Sequence, residues 1–191
     1  MTSLQPLPRF TLQNGAGLMQ FEEAHAPDLF ALMDRNRQHL RQWLPWLDAN
    51  TSPQDTLRFI RAGLDSLAHN KGFDMGLWRN GRIAGVVSVK ALDWSNRKAQ
   101  LGYWISAESQ GLGLVTQACS ALISHAFARL GLNRVEIHCA TENLRSRAIP
   151  ERLGFALEGE LRQAEWLYDH YVDHAVYGML SGDWDGAGKA A

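Results

Sequence analysis

The stretch Gln110-Gly111-Leu112-Gly113-Leu114-Val115-Thr116 is a turn with two glycines that joins an apolar strand to a long helix. Glycine at 111 and 113 permits a positive φ angle and lets a ligand approach the backbone closely. The residues that follow begin a helix, whose first N–H groups have no partner within the helix. Because the helix dipole adds partial positive charge at the same place, the turn is predicted to bind an anion such as phosphate.

The elements on either side of this turn are read from their apolar residues. Leu101–Ile105 forms the strand, and the helix that follows ends at Gly131, a typical cap. Other phosphate motifs are excluded, because a Rossmann turn needs glycine where Thr116 stands and no Gly-Lys-Ser/Thr occurs. From this stretch alone, a tight strand-to-helix connection that binds no ligand is an open alternative. The helical spacing rests on Val115, Cys119, Leu122, Ile123, Ala126, Phe127 and Leu130.

A second motif follows the helix. The strand Arg134–Cys139 precedes the segment 143–155, which reads Asn-x-x-Ser-x-x-x-x-Glu-Arg-x-Gly-Phe. Together with the earlier Gln-x-x-Gly-x-x turn, this order resembles the GNAT acetyltransferase superfamily. The continuation over residues 157–165 resembles its RimJ/RimL branch, RimL-like enzymes in particular, which acetylate protein N-termini. The spacing from Ser146 to Glu165 is part of that resemblance.

Length and composition fit a single soluble domain. The chain has 191 residues, 46% hydrophobic and 20% charged, and we predict one domain over residues 1–181 with a flexible tail over 182–191. The net charge of -1 predicts no nucleic-acid or membrane partner. Cys119 and Cys139 are expected to be reduced core thiols, so neither a disulfide scaffold nor a metal site is predicted. With no apparent signal segment, we expect a cytoplasmic protein.

The remaining elements complete the predicted fold. A hairpin opens the chain, a helix begins at Pro27 and extends to Leu40, and a second helix begins after a Ser52 cap. The resemblance implies the GNAT acyl-CoA N-acyltransferase fold, an α/β architecture in which helices flank both faces of a mixed, mostly antiparallel sheet. The predicted strands cover residues 9–12, 18–21, 73–78, 83–89, 99–106, 134–139, 155–162 and 171–180.

The resemblance also implies acetyl-CoA as the co-substrate. Its pantetheine arm is expected in a gap beside the strand that ends at Ser106, and its pyrophosphate on the amides of residues 110–116. The sequence departs from the family pattern at Val115, where glycine or alanine is commoner, and we expect this to alter packing without abolishing binding. The predicted cofactor-binding residues are Trp104, Ile105, Ser106, Gln110, Gly111, Leu112, Gly113, Leu114, Val115, Thr116 and Asn143.

Two catalytic residues are implied by the same resemblance. Glu165 matches the position of the general base that takes the proton of the amine, and Ser146 matches the donor to the CoA thiolate. Two structural alternatives stay open: Ser146 caps the helix that it begins, and Glu165 is a solvated carboxylate at a strand end. His170 and His174 are not expected to bind metal, because i and i+4 on a strand lie about 13 Å apart. His138 is expected to be a strand residue rather than a base.

The acceptor is predicted from chemistry and from one aromatic segment. An α-amine, with a pKa near ~7.7–8.0, needs less help from a base than a lysine amine near ~10.4. Trp43 and Trp46 are predicted to form the wall of an acceptor groove, although a core plug or a dimer patch is also open. We therefore predict acetylation of a protein N-terminus by a homodimer. A polyamine, amino acid or antibiotic acceptor, and a CoA-binding domain without catalysis, are the alternatives.

Overall fold

The computed structural model describes residue 4 and residues 7–186. It contains an eight-stranded mixed sheet flanked by helices, as predicted. The helices are α1 (Ala26–Arg35), α2 (Arg37–Leu40), α3 (Pro53–Ala68), α4 (Leu114–Ala128) and α5 (Leu144–Arg152). The strands are β1 (Phe10–Thr11), β2 (Ala16–Gln20), β3 (Phe73–Arg79), β4 (Arg82–Asp93), β5 (Lys98–Ile105), β6 (Arg134–Ala140), β7 (Ala156–Leu167) and β8 (His170–Leu180).

The sheet has one parallel pair, and that pair opens a gap. The strand order is β1-β2-β3-β4-β5-β6-β8-β7, and all other neighbours are antiparallel. β5 pairs with β6 only from Lys98 to Leu101, whereas it stays paired with β4 as far as Ile105. The ends of β5 and β6 therefore diverge. The divergence leaves a slot in the middle of the sheet, at the end where the chain enters α4.

Alternating residues of the strands pack into two cores. On one face, Leu101 of β5, Ile137 of β6 and Tyr177 of β8 join the buried face of α4. On the other face, Val86 of β4 packs with buried residues of α1 and α3. Successive strand residues point to opposite faces. Trp104 therefore faces the α1 and α3 side, where it packs against the second core.

Local sequence signals account for most element boundaries. Asn80 and Gly81 both have positive φ, 50° and 75°, and close the predicted tight hairpin between β3 and β4. Ser52 caps α3, and its side chain accepts a hydrogen bond from the amide of Asp55. The first helix was predicted to continue to Leu40, but it ends before Asn36, which is buried. The side chain of Asn36 donates to Leu32 O and accepts from the amide of Ala107.

The chain remains packed beyond residue 181, the predicted end of the domain. The indole N–H of Trp184 donates to Ser124 Oγ at 3.0 Å, and its ring lies 6.5 Å from that of Phe127 on α4. Residues 187–191 of the predicted tail lie outside the described residues. No helix in the described part of the chain has both the length and the apolar character needed to cross a bilayer.

Candidate active site

The gap between β5 and β6 is lined by backbone that has no neighbouring strand. Ser106 is less available than the sequence suggested, because its amide donates to Ala84 O and its carbonyl accepts from the amide of Ser109. Since alternate residues of a strand direct their backbone groups to the same neighbour, Trp104 directs its groups toward β4, as Ser106 does. Tyr103 and Ile105 then face the gap. Of the three predicted residues, Ile105 is the best placed to bind an extended ligand there.

The glycine turn presents unpaired amides. Gly111 and Gly113 have φ angles of 75° and 69°, which any L side chain would adopt only with strain. Gly113 is the N-cap residue of α4 and supplies no side-chain cap. Among the described residues, none of the amides 111–116 donates to another protein group. A Cβ placed on Gly111 would meet no atom within 4 Å. The turn therefore offers amide donors and open space for the pyrophosphate of a CoA-type ligand.

Val115, the departure from the family pattern, faces away from this turn. Its side chain is 7% exposed and belongs to the core that α4 forms with the sheet. The extra methyl groups are therefore accommodated by packing.

The side chain of Gln110 connects the turn to two other elements. Its Oε1 accepts from Arg145 on α5 at 2.9 Å, and its Nε2 lies 3.1 Å from Nε2 of His39 on α2. At the other end of α5, the guanidinium of Arg152 donates to Thr116 Oγ1 at 2.8 Å. These contacts fix the turn between α2 and α5.

Asn143, not Ser146, caps α5. The Oδ1 of Asn143 accepts from the amide of Ser146 at 3.1 Å, and the helix begins at Leu144. The suggestion that Ser146 caps the helix is therefore wrong, because Ser146 is the third helical residue and receives the cap. Its hydroxyl is 3.4 Å from the hydroxyl of Tyr103, at the unpaired end of β5.

Pro150 explains why Tyr103 contacts Ser146. Proline has no N–H to donate to the carbonyl four residues earlier, which here belongs to Ser146. The hydroxyl of Tyr103 donates to that carbonyl at 2.9 Å instead. This bond joins β5 to α5 on the α4 side of the gap. Sequence analysis did not identify Tyr103, although the missing donor at Pro150 was a signal that an outside donor was required.

The thiol of Cys139 lies beside Ser146. Burial raises the pKa of Cys139 to about 11, and a hydrogen bond with Ser146 opposes the rise. Both cysteines are free and buried, as expected. Burial likewise raises the pKa of the Tyr103 hydroxyl well above its usual value. At neutral pH these groups are therefore protonated and uncharged.

Glu165 lies within β7, on the sheet face opposite Tyr177. Its Oε2 is 3.3 Å from Nε2 of His174 on β8, and the two side chains are 36% and 18% exposed. Residue 174 is paired with Ala140 at the end of β6, so this pair lies one strand beyond the gap. Glu165 is therefore not a fully solvated carboxylate at a strand end. His174 was missed as a partner, although it alternates with the apolar residues Ala175 and Tyr177.

The other histidines that were considered lie apart from this pair. His170 is 2.7 Å from Asp169, and His138 is 3.1 Å from Glu136 on the same strand. No cluster of three or more metal-ligating side chains occurs in the described part of the chain.

The predicted acceptor wall borders the α1 and α3 face. Trp43 is half-buried and Trp46 is 43% exposed, so neither tryptophan is a core plug, whereas Leu47 of the same segment is fully buried in the second core. Arg37 holds the segment by donating to the carbonyls of Leu47 and Asn50. A groove wall and a dimer patch both remain consistent with this exposure.

The tip of the β7–β8 hairpin packs against the same segment. The hydroxyl of Tyr168 donates to Leu44 O at 2.6 Å, and the guanidinium carbon of Arg41 lies 3.8 Å from the centre of the Tyr168 ring. Arg41 also donates three hydrogen bonds to the carboxylate of Asp48. An open cleft lies beside these contacts, lined by Arg41, Gln42, Leu167, Tyr168, Asp169 and His170.

The comparisons with known proteins agree with this architecture. Residues 17–156 match the family described as an acetyltransferase (GNAT) domain. The chain is 40% identical to YdaF of Bacillus subtilis (strain 168) over 167 residues, which cover 86% of this chain and 91% of YdaF. It is 34% identical to the ribosomal-protein-serine acetyltransferase of Escherichia coli (strain K12) over 161 residues, covering 83% and 88% of the two chains.

A solved structure shows the same fold. RimL, a ribosomal alpha-N-protein acetyltransferase solved in complex with coenzyme A, superposes with a TM-score of 0.87 and 29% identity, covering 94% of this chain and 100% of RimL.

Proposed function

Since the chain belongs to the GNAT acetyltransferase family and is an acetyl-CoA-dependent N-acetyltransferase, we propose that it acetylates the N-terminal α-amine of a protein. In this proposal, Glu165 is the general base and Ser146 donates a hydrogen bond to the CoA thiolate. The observation that best supports this proposal is the placement of the two groups. Ser146 lies on the α4 side of the β5–β6 gap, whereas Glu165 lies on the opposite face of the sheet, in the strand that leads to Tyr168, whose hydroxyl contacts Leu44 O.

The residues present fit acetyl-CoA. The amides of 111–116 at the start of α4 can hold its pyrophosphate, and the unpaired backbone at Ile105 can bond to its extended arm. Asn143 is also proposed to contact the arm of the co-substrate, although its Oδ1 already caps α5. Acetyl-CoA supplies the thioester from which the acetyl group is transferred.

The protein assists both the attacking amine and the leaving thiolate. The amine nitrogen bonds to the acetyl carbon, the carbon–sulfur bond breaks, and the electron pair stays on sulfur. Glu165 takes the proton that the amine loses, and the hydroxyl of Ser146 donates a hydrogen bond to the thiolate. No acetyl-enzyme is required.

Variants at the two positions test these roles. Glu165→Gln keeps the size and hydrogen-bonding capacity of the side chain but removes its basicity, so we expect kcat to fall about 100-fold or more with acetyl-CoA affinity unchanged. Ser146→Ala should lower kcat about tenfold, since it removes one hydrogen bond to the charged leaving group, which contributes about 1.5 kcal/mol. Steady-state kinetics and calorimetric binding of acetyl-CoA measure both effects. Full turnover in Glu165→Gln would remove that residue from the mechanism.

The acceptor is tested with a panel of amines. Peptides that begin with Ser, Ala or Met are compared with polyamines and free amino acids, using purified protein and acetyl-CoA. The proposal expects efficient acetylation of the peptides, since the exposed aromatic wall around Trp43 and Trp46 offers contact area to residues that follow the amine. Acetylation of small amines alone would contradict the N-terminal assignment and leave the fold and co-substrate unaffected.

We also propose a cytoplasmic homodimer. Trp166 and Tyr171 are exposed aromatic residues that a second copy could cover, and both cysteines are free and buried. Sedimentation analysis would contradict the dimer if the protein remained a monomer at micromolar concentration.

A further inference from the structure

We propose that His174 and Asp173 are positioning residues for the base: His174 orients the carboxylate of Glu165 through a hydrogen bond, and Asp173 holds the β-bulge that brings Glu165 to it. This inference rests on the proposed role of Glu165. It concerns two residues of β8 for which neither the sequence motifs nor the mechanism above gives a role.

The first argument is the register of the hairpin. Leu161 pairs with His174 and Glu165 pairs with Val172, so three residues of β7 face one residue of β8 between these pairs. If the Leu161 register continued without this irregularity, Glu165 would lie opposite His170. The displacement is two residues, about 7 Å along the strand. The bulge therefore moves Glu165 from the hairpin tip to the end of β6. Such bulges commonly re-aim a side chain next to an active site.

The second argument is how the bulge is held. Gln163, in the middle of the bulge, has a φ of 51°, and its amide donates to Oδ1 of Asp173 at 2.7 Å. The carbonyl of Asp173 accepts from the amide of Thr141 at 2.9 Å, in the loop between β6 and α5. Asp173 thus connects the segment that carries Glu165 to the loop that leads to Ser146. One residue fixes both sides of the proposed site.

The third argument is the chemistry of the Glu165–His174 contact. A base must be ionised before it accepts a proton, and an ionised carboxylate only accepts hydrogen bonds. The hydrogen must therefore lie on Nε2 of His174, which donates to Oε2 of Glu165 at 3.3 Å. Oε1 of the same carboxylate then remains free for the proton of the amine. His174 is three-quarters or more buried, so its ring has a fixed orientation from which to direct the carboxylate.

The test is a set of variants at His174. His174→Gln places an N–H donor near the position of Nε2 but cannot carry a proton, whereas His174→Phe retains the ring and loses the donor. We expect kcat to fall about 10- to 100-fold in His174→Phe, as misplacement of a catalytic group does, and to stay within about threefold in His174→Gln. The KM for acetyl-CoA and the melting temperature should change in neither. His69→Phe, at an exposed histidine after α3, is the matched control.

The same logic extends to Asp173 and to a double variant. Asp173→Asn retains an acceptor for the Gln163 amide and should keep most of kcat. Asp173→Ala removes that acceptor and should lose most of kcat. In a Glu165→Gln background, His174→Phe should cost almost nothing further, because the residue that it orients has lost its basicity.

Three results would overturn the inference: equal losses in His174→Gln and His174→Phe, no loss in either, or additive losses in the double variant. These failures are distinct from failure of the proposed function. That function fails if Glu165→Gln alone retains full turnover, whatever the His174 variants do.

Discussion

Tyr103 and Pro150 form a pair whose coupling can be measured. Tyr103→Phe removes the hydroxyl that donates to Ser146 O at 2.9 Å, and Pro150 prevents the helix from supplying another donor. A carbonyl left without its partner costs about 1–3 kcal/mol when buried. Because Ser146 is only half-buried, we expect the lower part of that range, about 1–2 kcal/mol in the free energy of unfolding. The melting temperature should fall by about 2–4 °C for each kcal/mol.

The same substitution should be much less costly in a Pro150→Ala background. Alanine at 150 supplies the N–H that bonds to Ser146 O within the helix, so losing the Tyr103 hydroxyl should then cost less than about 0.5 kcal/mol. Urea unfolding of the four proteins, followed by tryptophan fluorescence and far-UV circular dichroism, measures this double-mutant cycle. Tyr171→Phe, at an exposed tyrosine whose ring packs on Trp166, is the control and should be neutral. Equal costs of Tyr103→Phe in both backgrounds would refute the reasoning.

Three further substitutions test other parts of the structure. Ser52→Ala removes the N-cap of α3 and should destabilise the protein by about 1 kcal/mol in urea unfolding, whereas Ser52→Asn should not. Gly113→Ala should weaken acetyl-CoA binding in calorimetry and lower stability by about 1 kcal/mol, because φ is 69° there although the added Cβ meets nothing closer than 3.7 Å. The hydrogen bond from Arg134 lowers the pKa of Glu158. Because the pair is partly exposed to solvent, its stabilising effect is at most about 1 kcal/mol. The effect is present above the unfolded pKa near ~4.3 and is lost as the pH falls through the lower folded pKa. Glu158→Gln should therefore destabilise the protein at pH 7, and the difference from wild type should shrink as the pH falls below ~4.3.

The parts of the fold that could be predicted from sequence depend on local chemistry. Asn80-Gly81 specifies its hairpin because both residues tolerate positive φ, and Ser52 before proline specifies the start of α3. The glycines at 111 and 113 likewise predicted the unpaired amides at the start of α4. In each case a few neighbouring residues determine the backbone.

The parts that could not be predicted depend on contacts between distant segments. The helix from Ala26 ends at Asn36, whose side chain accepts a hydrogen bond from the amide of Ala107. The residues near position 36 do not predict this contact with a distant segment. β7 was expected to end at residue 162 but continues to Leu167, because the bulge at 162–164 restores pairing with β8. The partnership of Glu165 with His174 follows from that irregular register, which alternation of apolar and polar residues does not reveal.

The site of acetylation on a single peptide tests the central claim most directly. The peptide begins with a free serine α-amine and carries one internal lysine; a second sample has its N-terminus blocked. After incubation with the protein and acetyl-CoA, tandem mass spectrometry locates the added acetyl group. Transfer to an α-amine from the β5–β6 gap, with Glu165 as the base, predicts acetyl on the serine nitrogen alone, none on the blocked peptide, and loss of the product in Glu165→Gln. Acetylation of the lysine in both peptides, or an unchanged yield with Glu165→Gln, would contradict it.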